Sequence, residues 1–87
     1  MIFIYKLRFP NDKVYIGQTN NLDIRWINGG KGYKRCPYVW NAIQKYGWTA
    51  IEKSILEVCN DRDEANTREV YWIAAYNSAD YRFGYNI

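Results

Sequence analysis

A carboxylate and a guanidinium sit on apolar stripes of this chain, at Glu69 and Arg25. "DRDEANTREVYWIAAYN", residues 61 to 77, reads as the longest helix, with Ala65, Trp72, Ile73 and Tyr76 on its buried face. Glu69 falls on that same face. Asp61, Asp63 and Glu64 belong to the first turn, where the helix dipole accounts for acids; Glu69 lies beyond its reach. Burying an unpaired carboxylate is costly, or it drives the pKa upward. A divalent cation offsets that cost directly, so Glu69 suggests a one-metal site. The structural alternative is a solvated edge or an ion pair with Arg68 or Arg25.

Arg25 follows the same logic with opposite sign. It stands at helical spacing among Leu22 and Trp26 in "NNLDIRWINGG" (20 to 30). Taken alone, it reads as a snorkelling side chain with its stem on Trp26. Taken with Glu69, it suggests a polar pocket walled by helices and floored by a sheet. Two phenols would look into that pocket. "IFIYKLRF" (2 to 9) and "KVYIGQT" (13 to 19) are rich in strand formers, and "PND" (10 to 12) is a turn signal between them. A hairpin with that loop opposes Leu7 to Tyr15 and Tyr5 to Gly17, so Tyr5 and Tyr15 lie diagonally on one face. Gly17, beside them, is expected to leave room for a ligand to approach the sheet.

The remaining elements must hold these groups together. Asn caps and exit glycines bound the short helix over 20 to 30. "GGKGYKR" (29 to 35) is expected to be a flexible basic loop. "CPYVWNAIQKYG" (36 to 47) has Pro37 in the first turn, Gly47 at the stop, and Val39, Ala42, Ile43 and Tyr46 on one face. "AIEKSILEV" (50 to 58) reads as a third strand with imperfect alternation. Asp61 and Glu64 have capping-box spacing at the start of the last helix. The order ββααβα describes an α+β domain with a small antiparallel sheet, and 87 residues make one domain, 1–87.

Composition removes several classes of function. The chain has no histidine, which excludes His-dependent nucleases, Ser-His-Asp hydrolases and His-bearing zinc sites. Two cysteines, Cys36 and Cys59, cannot make a four-cysteine zinc site, and are expected to be reduced thiols in a cytoplasmic, intracellular protein. No apolar run reaches membrane-spanning length. The net charge of +3 permits a nucleic-acid partner. With few phosphate contacts, binding would be weak, with a Kd of about 10⁻⁴ to 10⁻⁶ M at physiological salt. "GGKGYK" lacks the spacing and the Ser or Thr of a P-loop.

The signature elements occur in order along the whole chain: "IY" in "FIYK", "YIG" in "VYIGQT", Arg25, the glutamate of "REVYWI", and the asparagine of "GYNI". In this the chain resembles the GIY-YIG nucleases, and most of all the catalytic domains of phage intron-encoded homing endonucleases, which share the texture of "KYG…SILE" and "YWI…GYNI".

The resemblance implies a three-stranded antiparallel sheet flanked by helices and hydrolysis of phosphodiesters in double-stranded DNA with one Mg²⁺ or Mn²⁺. By position, Glu69 resembles the metal ligand and Arg25 the residue that binds the scissile phosphate. Tyr5 and Tyr15 match the signature tyrosines, and Asn86 the late asparagine. The guanidinium fork suits non-bridging phosphate oxygens. Tyr5 is the favoured general base, with Tyr15 as its hydrogen-bonding companion and Lys6 among the groups able to stabilise a phenolate. Lys31, Lys34 and Arg35 are natural backbone contacts.

Three positions depart from the family pattern: Phe3 in place of the first glycine, Gly29 where many relatives have His or Tyr, and Gln18 where some have lysine. Tyr33 is a candidate substitute for the missing group at 29. The departures at Phe3 and Gly29 favour one alternative, a catalytically weak or inactive nucleic-acid-binding module that kept the fold. Within the enzyme class, a restriction-type enzyme and a stand-alone structure-specific repair nuclease stay open beside the homing type. In the homing-type reading, a separate DNA-binding domain supplies specificity.

Overall fold

The computed structural model describes residues 1–87. Strand β1 spans Ile2–Arg8 and β2 spans Val14–Thr19; then come a one-turn helix α1 (Leu22–Arg25), 3₁₀ turns over Asn28–Tyr33, and α2 (Pro37–Tyr46). A short 3₁₀ turn at Trp48–Ala50 leads into β3 (Glu52–Cys59) and the long α3 (Arg62–Tyr76). The antiparallel sheet has the order β2-β1-β3, so β1 is central. The hairpin register is the one the turn sequence implies: Tyr5 opposes Gly17 and Leu7 opposes Tyr15.

Strand alternation divides the core between the two faces of the sheet. Tyr5, Leu7 and Phe9 pack with Tyr33, Val39, Ala42, Ile43 and Ile51 on the α2 side. Ile2, Ile4, Val14, Ile16 and Cys59 pack with Ala65 on the α3 side, where Trp72, Ile73 and Tyr76 are only partly buried. β3 alternates imperfectly because its pairing with β1 shifts register between Ile4 and Tyr5. Ile4 opposes Glu57 and Tyr5 opposes Ile55, which leaves Leu56 as a bulge.

Asp61 caps α3 by accepting from the Glu64 amide at 2.8 Å, and left-handed Asn77 ends it. The tail after α3 lies along β2: Val14 bridges Gly84, and the Tyr85 amide donates to the Val14 carbonyl at 3.0 Å. Both thiols are free. No helix is long and apolar enough to cross a membrane.

Two local expectations fail between β2 and α2. The helix expected over 20 to 30 stops at Arg25, because Ile27 is extended and Asn28, Gly29 and Gly30 all take positive φ. The segment expected to be a flexible basic loop is instead anchored. Gly30 and Tyr33 are buried, and a side chain at Gly30 would collide with the Trp48 ring.

Candidate active site

Arg25 is held by three contacts. Its Nε donates to the Tyr5 hydroxyl (3.2 Å), its Nη1 donates to the Gly32 carbonyl (3.0 Å), and the Tyr33 ring lies 4.0 Å from its guanidinium carbon. Nη2 and the second Nη1 hydrogen make no intramolecular bond. The guanidinium is therefore fixed in direction and still has donors to offer. Burial works against its charge, but the Tyr5 hydrogen bond and the surrounding phenols raise its pKa, so it stays a cation.

Tyr33 ties this group together. It is fully buried, accepts from Trp26 Nε1 at 3.2 Å, and donates to the Tyr5 hydroxyl at 2.8 Å. The expected hydrogen bond between Tyr5 and Tyr15 does not form; their ring centroids are 6.4 Å apart, and Tyr33 is the companion of Tyr5. Sequence reading gave Tyr33 no firm role. The signal available was its place on a segment where glycines let the chain fold back on itself.

The space left by Gly17 does not receive a ligand. The Tyr5 phenol fills it, since a side chain at Gly17 would run into the Tyr5 hydroxyl. Tyr5 is fully buried as a result, whereas Tyr15 is half-buried and its hydroxyl makes no intramolecular hydrogen bond. Burial raises the pKa of Tyr5, partly opposed by hydrogen bonds from Arg25 and Tyr33 and by the Arg25 charge. Burial, with Tyr5 and Cys36 nearby, raises Tyr15 strongly. Lys6 is not a neighbour of these phenols. It points to the α3 side, where its Nζ donates to the Tyr76 hydroxyl at 3.4 Å.

Glu69 approaches from the opposite face. It is half-buried on α3 and makes no ion pair, because Arg68 is taken by Glu57 (2.7 Å) and Arg25 by Tyr5 and Gly32. Burial raises its pKa, while the Gln18 amide and the Arg62 charge favour the ionised form. Gln18 is a hub at the end of β2: its Oε1 accepts from Arg62 Nη1 and its Nε2 donates to Asn66 at 2.8 Å. Alternation along β2 puts Gln18 on the α3 side and Gly17 on the other.

The pocket floored by the sheet is therefore not present. Arg25 and Glu69 come from opposite faces of the sheet and make no contact with each other, though the charges of both reach Tyr5 and Tyr15. Neither side chain stands free in bulk solvent.

Asn86 clamps that edge. Its Oδ1 accepts from the Ile16 amide (2.8 Å) and its Nδ2 donates to the Ile16 carbonyl (2.7 Å). Lys31, Lys34 and Arg35 are exposed and form no ion pair. Glu57, Cys59 and Glu64 also gather oxygen and sulfur atoms, but at the opposite sheet edge, and Glu57 is already bonded by Arg68 and Trp72.

The family model for the GIY-YIG catalytic domain matches residues 1–86. The chain belongs to the GIY-YIG family. No curated protein and no solved structure matches it. As a GIY-YIG domain it is a nuclease domain, with DNA as the substrate class. The clamped arginine, the packed phenols and the half-buried glutamate all lie within the matched span.

A metal fits the donor set. Glu69 is a partly desolvated carboxylate in no ion pair, touched by the Arg62 charge only at a distance, and Mg²⁺ typically takes one or two carboxylates along with waters and substrate phosphates.

Proposed function

We propose that residues 1–87 form one catalytic unit that hydrolyses phosphodiester bonds of double-stranded DNA with a single Mg²⁺ or Mn²⁺ held by Glu69. The observation that carries this reading is Arg25, fixed by Tyr5, Gly32 and Tyr33 with its remaining donors free, together with a half-buried Glu69 that makes no ion pair. Arg25 grips non-bridging oxygens of the scissile phosphate with those donors. Its fixed pose lowers the reorganisation needed when charge develops there. A bound divalent ion would supply Lewis-acid stabilisation of the phosphate and leaving oxygens.

Tyr15 is the phenol that meets the attacking water. Its hydroxyl has no intramolecular partner, while the Tyr5 oxygen is buried beneath two donors. Tyr5 is then a positioning residue, the acceptor that aims Arg25. Gly17 serves by admitting Tyr5, and Asn86 serves by holding β2. Lys31, Lys34 and Arg35 contact the DNA backbone without reading sequence. So few contacts leave specificity to a separate DNA-binding region, as in homing-type enzymes.

Relaxation of supercoiled plasmid tests this reading. The protein with Mg²⁺ nicks the plasmid, EDTA abolishes nicking, and Glu69→Gln abolishes it while DNA affinity is retained. Equal DNA binding with no cleavage by the unaltered protein overturns the enzyme in favour of a binding module.

A further inference from the structure

A cavity of about 370 Å³ opens beside Tyr15 at the β2 edge. Arg35, Cys36 and Tyr15 line it from the α2 side, Ile73 from α3, and Tyr85 and Asn86 from the tail. We propose that this cavity holds one unpaired nucleotide of the strand being cut, so that the enzyme prefers duplexes interrupted next to the scissile phosphate. The proposal rests on the nuclease reading and names its substrate more narrowly.

The lining selects the occupant. Ile73, Cys36 and the tyrosine rings offer apolar and aromatic surface, which suits the faces of a base. The polar groups are few. Asn86 has its amide engaged on Ile16, and Arg35 is exposed with no carboxylate partner, which leaves a guanidinium for one phosphate. No Asp or Glu side chain lines the cavity, so it does not suit a metal cation. A single cation among apolar groups does not suit a polyphosphate either. A base can enter only if it has left the stack, and that costs least where it is already unpaired. Because Tyr15 belongs both to this cavity and to the catalytic face, the bound nucleotide would adjoin the reacting phosphate.

Three duplexes of one sequence decide it: one fully paired, one with a single unpaired nucleotide, and one with a short single-stranded flap. With Mg²⁺, kcat/KM on the interrupted duplexes should exceed that on the paired one by roughly tenfold to a hundredfold. Ile73→Trp, which fills the cavity, and Arg35→Ala, an exposed position that does not threaten folding, should each bring the ratio toward one. 2-Aminopurine at the unpaired position should lose fluorescence on binding to Glu69→Gln, through stacking in the cavity.

A ratio near one, or a high ratio kept by both variants, overturns the proposal. If no duplex is cut, the nuclease reading fails, and the 2-aminopurine signal alone decides the cavity: quenching relieved by Ile73→Trp supports it, and unchanged fluorescence overturns it.

Discussion

The Tyr33 hydroxyl donates to the Tyr5 hydroxyl across 2.8 Å, at a point where Tyr5 also accepts from Arg25 Nε. Because the Tyr33 ring also carries the Arg25 guanidinium, one side chain sets both the donor and its acceptor. Tyr33→Phe keeps the ring and removes the hydroxyl, leaving Trp26 Nε1 without its acceptor. The expected cost is about 1–2 kcal/mol by urea denaturation. Tyr33→Leu also removes the platform under Arg25 and empties part of the core, costing about 3–5 kcal/mol. Its kcat should fall well below that of Tyr33→Phe. The Arg25 Nε–H, bonded to the Tyr5 hydroxyl, should be slow to exchange with solvent in the unaltered protein and in the Phe variant, and fast in the Leu variant.

In the proposed reading, Glu69 exchanges stability for function. Burial raises its folded pKa above the ordinary carboxyl value, so between those two pKa values the native state binds more protons than the unfolded chain. Stability therefore falls as pH rises through that window, and the ionised group remains a burden at neutral pH. Glu69→Gln should melt a few degrees higher than the unaltered protein at pH 7 and be inactive. The gap should close once the pH drops below the ordinary carboxyl range. Mg²⁺ should raise the melting temperature of the unaltered protein and leave Glu69→Gln unmoved. Equal melting curves for the two proteins at pH 7 would remove the case that Glu69 is an uncompensated carboxylate.

The hairpin was legible because "PND" fixes the turn, and a turn fixes register; every face assignment of Tyr5, Tyr15 and Gly17 follows from that. The bounds of α2 and α3 were legible from Pro37, Gly47 and Asp61, which act locally. What the sequence did not reveal is non-local. Periodicity places Glu69 on a helix stripe but does not say which side of the sheet that helix covers, so a pocket was expected where the structure has an edge. The left-handed run Asn28–Gly30 permits several chain paths, and burial of Tyr33 chooses among them. Gln18 reads as a departure from the family pattern, and only the placement of α3 reveals that it ties β2 to Arg62 and Asn66 next to Glu69.

Tyr15 should give the rate a steep pH dependence. Burial and the neighbouring Tyr5 and Cys36 push its pKa well above that of a free phenol, so it is neutral across the physiological range. A base present almost wholly in its protonated form gives a rate that climbs about tenfold per pH unit. Single-turnover nicking from about pH 6 to about pH 9 should show that slope without a plateau. Tyr15→Phe should lower kcat by roughly 10²- to 10⁴-fold and flatten the profile. Tyr5→Phe should lower activity and keep the slope, since it disturbs the aim of Arg25 and not the titrating group. A flat profile for the unaltered protein would reassign the base.

Gly17 is the cheapest place to break the site without touching a charged group. An added methyl there would meet the Tyr5 hydroxyl and ring. Tyr5 has little room to yield, with Tyr33 at 2.8 Å on one side and the Trp26 ring packed edge-on at a centroid distance of 5.5 Å. Overpacking of this kind costs about 1–3 kcal/mol. If Tyr5 does shift, Arg25 Nε loses its acceptor. Gly17→Ala should therefore lower stability by that amount in urea denaturation and lower kcat more than stability alone predicts, with nicking assayed at a temperature where the variant is fully folded. A variant that stays as stable and as active as the parent would mean that Tyr5 can leave its seat over Gly17 freely, and that Arg25 does not depend on it for direction.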